Sequence, residues 1–367
     1  MIRSGTIMAA TLVLAAAAML APRTAGAETY AYVGNADSND ISVFKFDAAT
    51  GEMSLVQTAA FVGVDKAGSS TPLAVSPDKR MLIAGIRSQP FLAESFAIDA
   101  RNGQLNHIGN GPLADSMANV AFDRTGKVLF SASYGGNKVA MNPVQANGVV
   151  AAPSQVIPTG LNAHAFLPSP DNRFVFATNL GSDQVLGFAF DAATGTLTAK
   201  DALTVKTPEK SGPRHFIFHP NGKFIYLLHE LNADLAVYGY EAATGAWHEA
   251  QRTTALPAGF SGKPWAADLH ITPDGQFLYA SERGSNTLAA FKVDASSGKL
   301  SAIGSVPTET QPRGFNIDPS GRYLAAVGEL SNGMTVYRID PASGALQKLK
   351  SYAAGKKPNW VEFVSLP

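Results

Sequence analysis

One phrase recurs along this chain: an apolar strand-like run, a turn of Pro-Asp-Gly type, and a second strand-like run. It reads LAVSPDKRMLIAGI at Leu73 to Ile86 and VAFDRTGKVLFSAS at Val120 to Ser133. It returns as FLPSPDNRFVFATN from Phe166, FIFHPNGKFIYLLH from Phe216, LHITPDGQFLYASE from Leu269 and FNIDPSGRYLAAVG from Phe315. The turn falls at Pro77, Arg124, Pro170, Pro220, Pro273 and Pro319, in steps of 47, 46, 50, 53 and 46 residues. A fixed period in this range marks supersecondary units that bury their apolar faces only by stacking on one another.

Each unit continues past the phrase into a third strand-like run: ISVFKFDAATGEM from Ile41, ESFAIDARNGQL from Glu94, VLGFAFDAATGTL from Val185, LAVYGYEAATGAW from Leu235, LAAFKVDASSGKL from Leu288 and MTVYRIDPASGAL from Met334. A degraded copy covers Val139 to Gly148. The closing Asp-x-x-x-Gly is turn chemistry, with Asp capping the turn and Gly supplying a positive φ. With a fourth strand after it, each unit is a four-stranded antiparallel propeller blade. The expected fold is therefore all-β, with helix content near zero. Third strands number seven. The chain opens on a strand of the second type, Tyr30 to Asn35, and closes on an unpartnered strand of the first type. Residues 358–364 are expected to complete the N-terminal blade, which closes a seven-bladed ring and removes two exposed edges.

Residues 1–27 carry Arg3, a mostly apolar run from Ile7 to Ala21, and Ala25-Gly26-Ala27, the pattern of a cleaved signal peptide. Residues 28–367 are expected to form one propeller domain, exported to a bacterial periplasm. The chain has no cysteine, which excludes disulfides, zinc-thiolate sites and a thiol nucleophile. Its 29 basic and 29 acidic residues are interspersed, with no basic stripe to bind nucleic acid. No later run is apolar enough to span a bilayer. Calcium loops, His-Glu-x-x-His and phosphate loops are absent, so neither metal nor cofactor is expected. A monomer acting on a small molecule is the expected state.

Aligning the copies on their turns separates packing from chemistry. The core column Leu73, Val120, Phe166, Phe216, Leu269, Phe315 and Val361 is uniformly apolar. The column that starts each inner strand holds Thr71, Ala118, His164, Arg214, Ala267, Arg313 and Asn359. The column just past each second strand holds Ala36, Arg87, Tyr134, Leu180, Glu230, Arg283 and Glu329. Variation beside a constant core marks the face that carries function. His164, Arg214 and Arg313, with Glu230 in the neighbouring loop, point to one end of the central channel. His215 and Asp268 follow one residue deeper, and His270, Asn316 and Glu362 share a still deeper column. Trp265 can line the pocket or fill a gap. His270 can equally be a core histidine, and Glu230 with Arg214 a structural ion pair. Two arginines, a carboxylate and histidines suit an anionic or carbonyl substrate: arginine holds an oxyanion while Glu or His deprotonates water.

At these residues the chain resembles the seven-bladed lactonases, a family that includes bacterial 6-phosphogluconolactonase and has a fungal carboxymuconate cyclase as a relative. The resemblance runs from about residue 29 to the C-terminus. It is carried by Gly212-Pro213-Arg214-His215, Phe218-His219-Pro220, Glu230-Leu231-Asn232, Trp265 to Gly275, and Pro307 to Asn316. It implies catalysis by His164, Arg214, Glu230 and Arg313. From their columns, His215, Asp268, His270, Asn316 and Trp265 are expected to bind the substrate, a sugar 1,5-lactone, and the hydrolysis is expected to need no metal. The product would be the aldonic acid. An exported member would meet an unphosphorylated lactone more readily than a sugar phosphate. A muconate-type lactonizing cyclase and a non-enzymatic binding or scaffold propeller are the alternatives.

Overall fold

The computed structural model describes Met1 and residues 27–367; residues 2–26, the body of the predicted leader, lie outside the described residues. The strands form seven antiparallel sheets, and the inner strands of successive sheets contact one another around a central channel. Blade 1 is closed as expected: the C-terminal strand Pro358–Leu366 pairs with Glu28–Asn35 from Glu28↔Leu366 to Asn35↔Pro358. Blades 2 to 7 begin with the inner strands Leu73–Val75, Met117–Phe122, Ala163–Pro168, Pro213–Phe218, Ala266–Ile271 and Pro312–Ile317. Blade 4 departs from the four-stranded plan, because the short strand Val205–Lys206 pairs beside Thr196–Ala199 on the same neighbour. Helix among the described residues is confined to two three-residue 3-10 turns, Leu180–Ser182 and Asp201–Leu203.

The described residues form seven apolar clusters, one in each gap between neighbouring blades. Second strands read as continuous apolar runs because both of their faces are buried. In FIYLLH, Ile225 and Leu227 face blade 4, while Tyr226 and Leu228 face blade 6. The last strand serves two gaps: Val361 packs toward blade 7, and Val364 and Leu366 pack toward blade 2. Closure thus supplies side chains to two interfaces as well as hydrogen bonds to one edge.

In three of the blades the Asp-x-x-x-Gly turn also fastens the blade to the one before it. The hydroxyls of Tyr32, Tyr226 and Tyr279 donate to the carbonyls of Gly103, Gly298 and Gly344 at 2.8, 3.0 and 2.8 Å. These glycines have φ of 67°, 70° and 72°. A Cβ on Gly103 would sit 2.3 Å from the Tyr30 ring. Glycine is required there twice, for its backbone and for the aromatic ring beneath it.

Glu94 is the liability in this interior. It is fully buried, and among the described residues its carboxylate accepts only the Val62 N–H, at 2.9 and 3.1 Å. Burial raises its pKa to about 7. A carboxyl whose folded pKa is raised is penalised where the unfolded chain ionises freely, so its destabilisation grows as pH rises from 4.5 through 7. Glu94→Gln is therefore expected to raise Tm more at pH 8 than at pH 5, by about 1–2 kcal/mol of stability. Thermal melts of both proteins at the two pH values check this.

Candidate active site

The inner strands enter the channel at one face of the disc and reach their turns at the other. Strand pairing slips at the head of several of them. It passes from Ala163↔Asn179 to Ala165↔Thr178, from Pro213↔His229 to His215↔Leu228, and from Pro312↔Gly328 to Gly314↔Val327. The skipped residues are His164, Arg214 and Arg313. A bulge frees one residue from the ladder and re-aims its side chain. Three candidate residues thus leave the blade by the same device.

They line a pocket of about 190 Å³ together with Arg87, Ala118, Tyr134, Glu230, Trp265 and Arg283. Glu230 is its anchor. Its Oε2 accepts Arg214 Nε at 2.8 Å and Arg283 Nη2 at 2.9 Å, and its Oε1 accepts Trp265 Nε1 at 3.3 Å. Burial alone would raise the Glu230 pKa, but Arg214 and Arg283 outweigh it and keep the carboxyl ionised below its ordinary range. Arg214 is 1 % exposed and also donates to the Ala267 carbonyl. Arg283 donates to the Ala266 carbonyl at 3.0 Å and stacks 4.0 Å from the Trp265 ring centre. Trp265, 39 % exposed, forms the outer wall.

Across the pocket, Arg87 donates to Ser70 Oγ at 2.8 Å. Arg313 is held loosely, 3.6 Å from Glu329 and 3.5 Å from Ser70 Oγ, so its donors remain the most open to a ligand. Four guanidiniums face two carboxylates, an excess of two positive charges. Burial comes first and arginine–arginine repulsion second in pushing Arg87 and Arg283 below their ordinary pKa range. An anion would relieve that repulsion.

His164 sits among these cations, 4 % exposed, with its ring against those of Tyr134 and His215. Burial and then Arg214 hold its pKa well below the ordinary value, so it is a neutral imidazole at pH 7. Its Nδ1 is buried without a hydrogen-bond partner among the described residues.

Of the nine site residues predicted from sequence, His164, Arg214, Glu230, Arg313 and Trp265 meet in this pocket. The other four lie deeper. His215 Nε2 is 3.3 Å from Arg214 Nη1, and its Nδ1 is 2.9 Å from Asp268 Oδ1. Asp268 Oδ2 lies 3.3 Å from His270 Nε2. Asn316 donates to the Val361 carbonyl at 3.0 Å. His215, Asp268 and His270 line a separate cavity in the turn-side half of the channel. His219 is a turn residue, accepting the Asn221 N–H at 3.0 Å. Arg87, Arg283 and Glu329 were not singled out from the sequence. Their signal was present: the column past the second strands is charged at all three, as at Glu230.

Fold and site together define a β-propeller with an arginine-lined pocket at the head of its channel. Residues 28–363 match the family described as Lactonase, 7-bladed beta-propeller. The chain is similar to the 6-phosphogluconolactonase of Pectobacterium carotovorum, 39% identical over 335 residues that cover 91% of this chain and 98% of that one. It is also 41% identical to the 6-phosphogluconolactonase of Yersinia pestis over 330 residues, 90% and 96% of the two chains. Among solved structures, the periplasmic gluconolactonase of Pseudomonas aeruginosa superposes with a TM-score of 0.83 at 31% identity, covering 92% of this chain and all of that one. The chain belongs to the seven-bladed β-propeller lactonase family.

Proposed function

We propose that this protein hydrolyses a sugar 1,5-lactone to the aldonic acid, with glucono-1,5-lactone preferred over its 6-phosphate. One observation carries the reading: a neutral, buried imidazole with a free nitrogen stands among guanidiniums that exceed their carboxylate partners by two. Water attacks the lactone carbonyl as His164 takes its proton. Arg313, with Arg214 behind it, holds the oxygen that becomes an oxyanion. The ring C–O bond then breaks, the ring oxygen leaves as a hydroxyl with the proton from His164, and the new carboxylic acid ionises to solvent. Glu230 serves as the fixed counter-charge that orients Arg214 and Arg283, since guanidiniums already occupy its Oε2.

The substrate preference rests on the leader pattern of residues 1–27 and on the likeness to a periplasmic gluconolactonase. The reading also places the mature protein in the periplasm. Rates above spontaneous hydrolysis at pH 6–7, measured for glucono-1,5-lactone, 6-phosphogluconolactone and a muconate, test it. Glucono-1,5-lactone is expected to give the highest kcat/KM. Turnover of the muconate alone, or of no lactone, would replace the proposal. Because the residues placed in the reaction need no metal, EDTA is expected to leave the rate unchanged, and a chelator-sensitive rate restored by calcium would remove this mechanism.

A further inference from the structure

Below the pocket the channel changes character. Three residues before each turn, blades 2 to 5 contribute Ala74, Ala121, Leu167 and Ile217, whereas blades 6 and 7 contribute His270 and Asn316, and the C-terminal strand of blade 1 places Glu362 at the equivalent position. The cavity here measures about 280 Å³, with an apolar wall on one side and a carboxyl and imidazole wall on the other. That is near the lower end of small-molecule sites.

The polar wall is one positive charge short. Asp268 is fully engaged: it accepts His215 at 2.9 Å, His270 at 3.3 Å and the Leu269 N–H at 3.0 Å. Glu362 receives only neutral donors, Trp360 Nε1 at 2.9 Å and Asn316 Nδ2 at 3.4 Å. Among the described residues no cationic group forms an ion pair with it. His215 is neutral, pushed down to about 4 by burial and Arg214, so His270 is the single imidazole left to serve two carboxyls. Isolated carboxylates are costly to bury unless a cation or further donors reach them.

We propose that the turn-side half of the channel is a second ligand site, distinct from the lactone pocket, that takes a small primary ammonium compound with a short apolar body. The ammonium lies on Glu362, and the body lies against Leu167, Ile217 and Phe122 on the opposite wall.

Binding to the ionised form makes affinity depend on pH. Burial raises Glu362 to about 7, with Trp360 and His270 offsetting it only in part. Of the groups facing it, Asp268 stays ionised throughout, and His270, raised by Asp268 against its burial, repels a cation more at low pH. Arg313 lies at the other end of its strand, and the Tyr32 hydroxyl is committed to Gly103. Affinity therefore rises with pH through 7.

The test is calorimetric titration of the full-length mature protein with n-butylammonium, with n-butanol as neutral isostere. Saturable binding of the amine is expected, about tenfold tighter at pH 8 than at pH 6. Glu362→Gln is expected to weaken it tenfold or more, about the worth of one charge-assisted hydrogen bond. Arg313→Ala should leave it unchanged. Where Glu362→Gln does not fold, the isostere comparison and the pH dependence decide in the wild-type protein. No saturable amine binding, equal binding of n-butanol, pH-independent affinity, or loss of binding in Arg313→Ala would each overturn the site.

Discussion

Replacing Arg214 by alanine is expected to lower kcat/KM for lactone hydrolysis by about 10²–10³-fold, the scale of removing one preorganised oxyanion donor. Two effects contribute, and they can be separated. Arg214 helps to hold the positive potential where charge develops. It also fixes Glu230, which in turn fixes Arg283. Removing one member of a buried ion pair leaves the other uncompensated, at a cost of about 3–5 kcal/mol. Arg283 and Trp265 still reach Glu230, so the loss should fall at the lower end of that range. Arg214→Lys keeps the charge without the planar fork. It is expected to recover most of the Tm but little of kcat, because a point charge cannot serve Glu230 and the Ala267 carbonyl together. Arg313→Ala supplies the contrast. Its protein contacts lie at 3.5–3.6 Å, so it should lose activity with little change in Tm. Wild-type kcat/KM in a folded Arg214→Ala protein would take Arg214 out of the reaction.

The ring was legible because repetition averages out local ambiguity. No single run such as FIFHPNGKFIYLLH specifies a blade, but successive copies at one spacing do. Counting first and second strands separately also exposed the missing inner strand that Pro358–Leu366 supplies. The pocket was legible in outline for the same reason: aligned copies disagree at His164, Arg214 and Arg313 where the core agrees. Three things were not legible. A bulge leaves no residue signature, so the way these three side chains leave the ladder appears only in the pairing register. That same register slip leaves Arg214 lining the pocket while His215, still 3.3 Å from it, lines the deeper cavity. Arg283 stands in one of the varying columns, but nothing in the sequence pairs it with Glu230. Its role comes from contact with Glu230 and Trp265, which lie 53 and 18 residues away.

The identity of the base, left open between Glu230 and His164 by sequence, is where the geometry has its sharpest consequence. Glu230 already accepts two guanidiniums and an indole, and they keep its basicity low. His164 is neutral with a free Nδ1, and its low pKa is owed partly to Arg214, Arg313 and Arg87. Those charges weaken it as a base in the free protein. A forming oxyanion neutralises them, so His164 becomes a stronger base as the transition state is approached. His164→Ala is therefore expected to lower kcat by about 10²–10⁴-fold, the usual range for a general base. Added imidazole should restore part of the rate, because the substitution leaves space where the ring stood. Glu230→Gln should not respond to imidazole. Since the neutral form is the active one, wild-type kcat/KM should stay flat as pH falls through 6.5 and decline only below it. The same burial has a stability sign. With the folded pKa below the unfolded one, the unfolded chain binds more protons between the two values, so the stability His164 contributes is present above pH 6.5 and lost as pH falls toward its folded value. Rates corrected for spontaneous hydrolysis across this range check the first expectation, and thermal melts of wild type and His164→Ala check the second. An acid limb centred at 6.5, or imidazole rescue of Glu230→Gln in place of His164→Ala, would reassign the proton transfer.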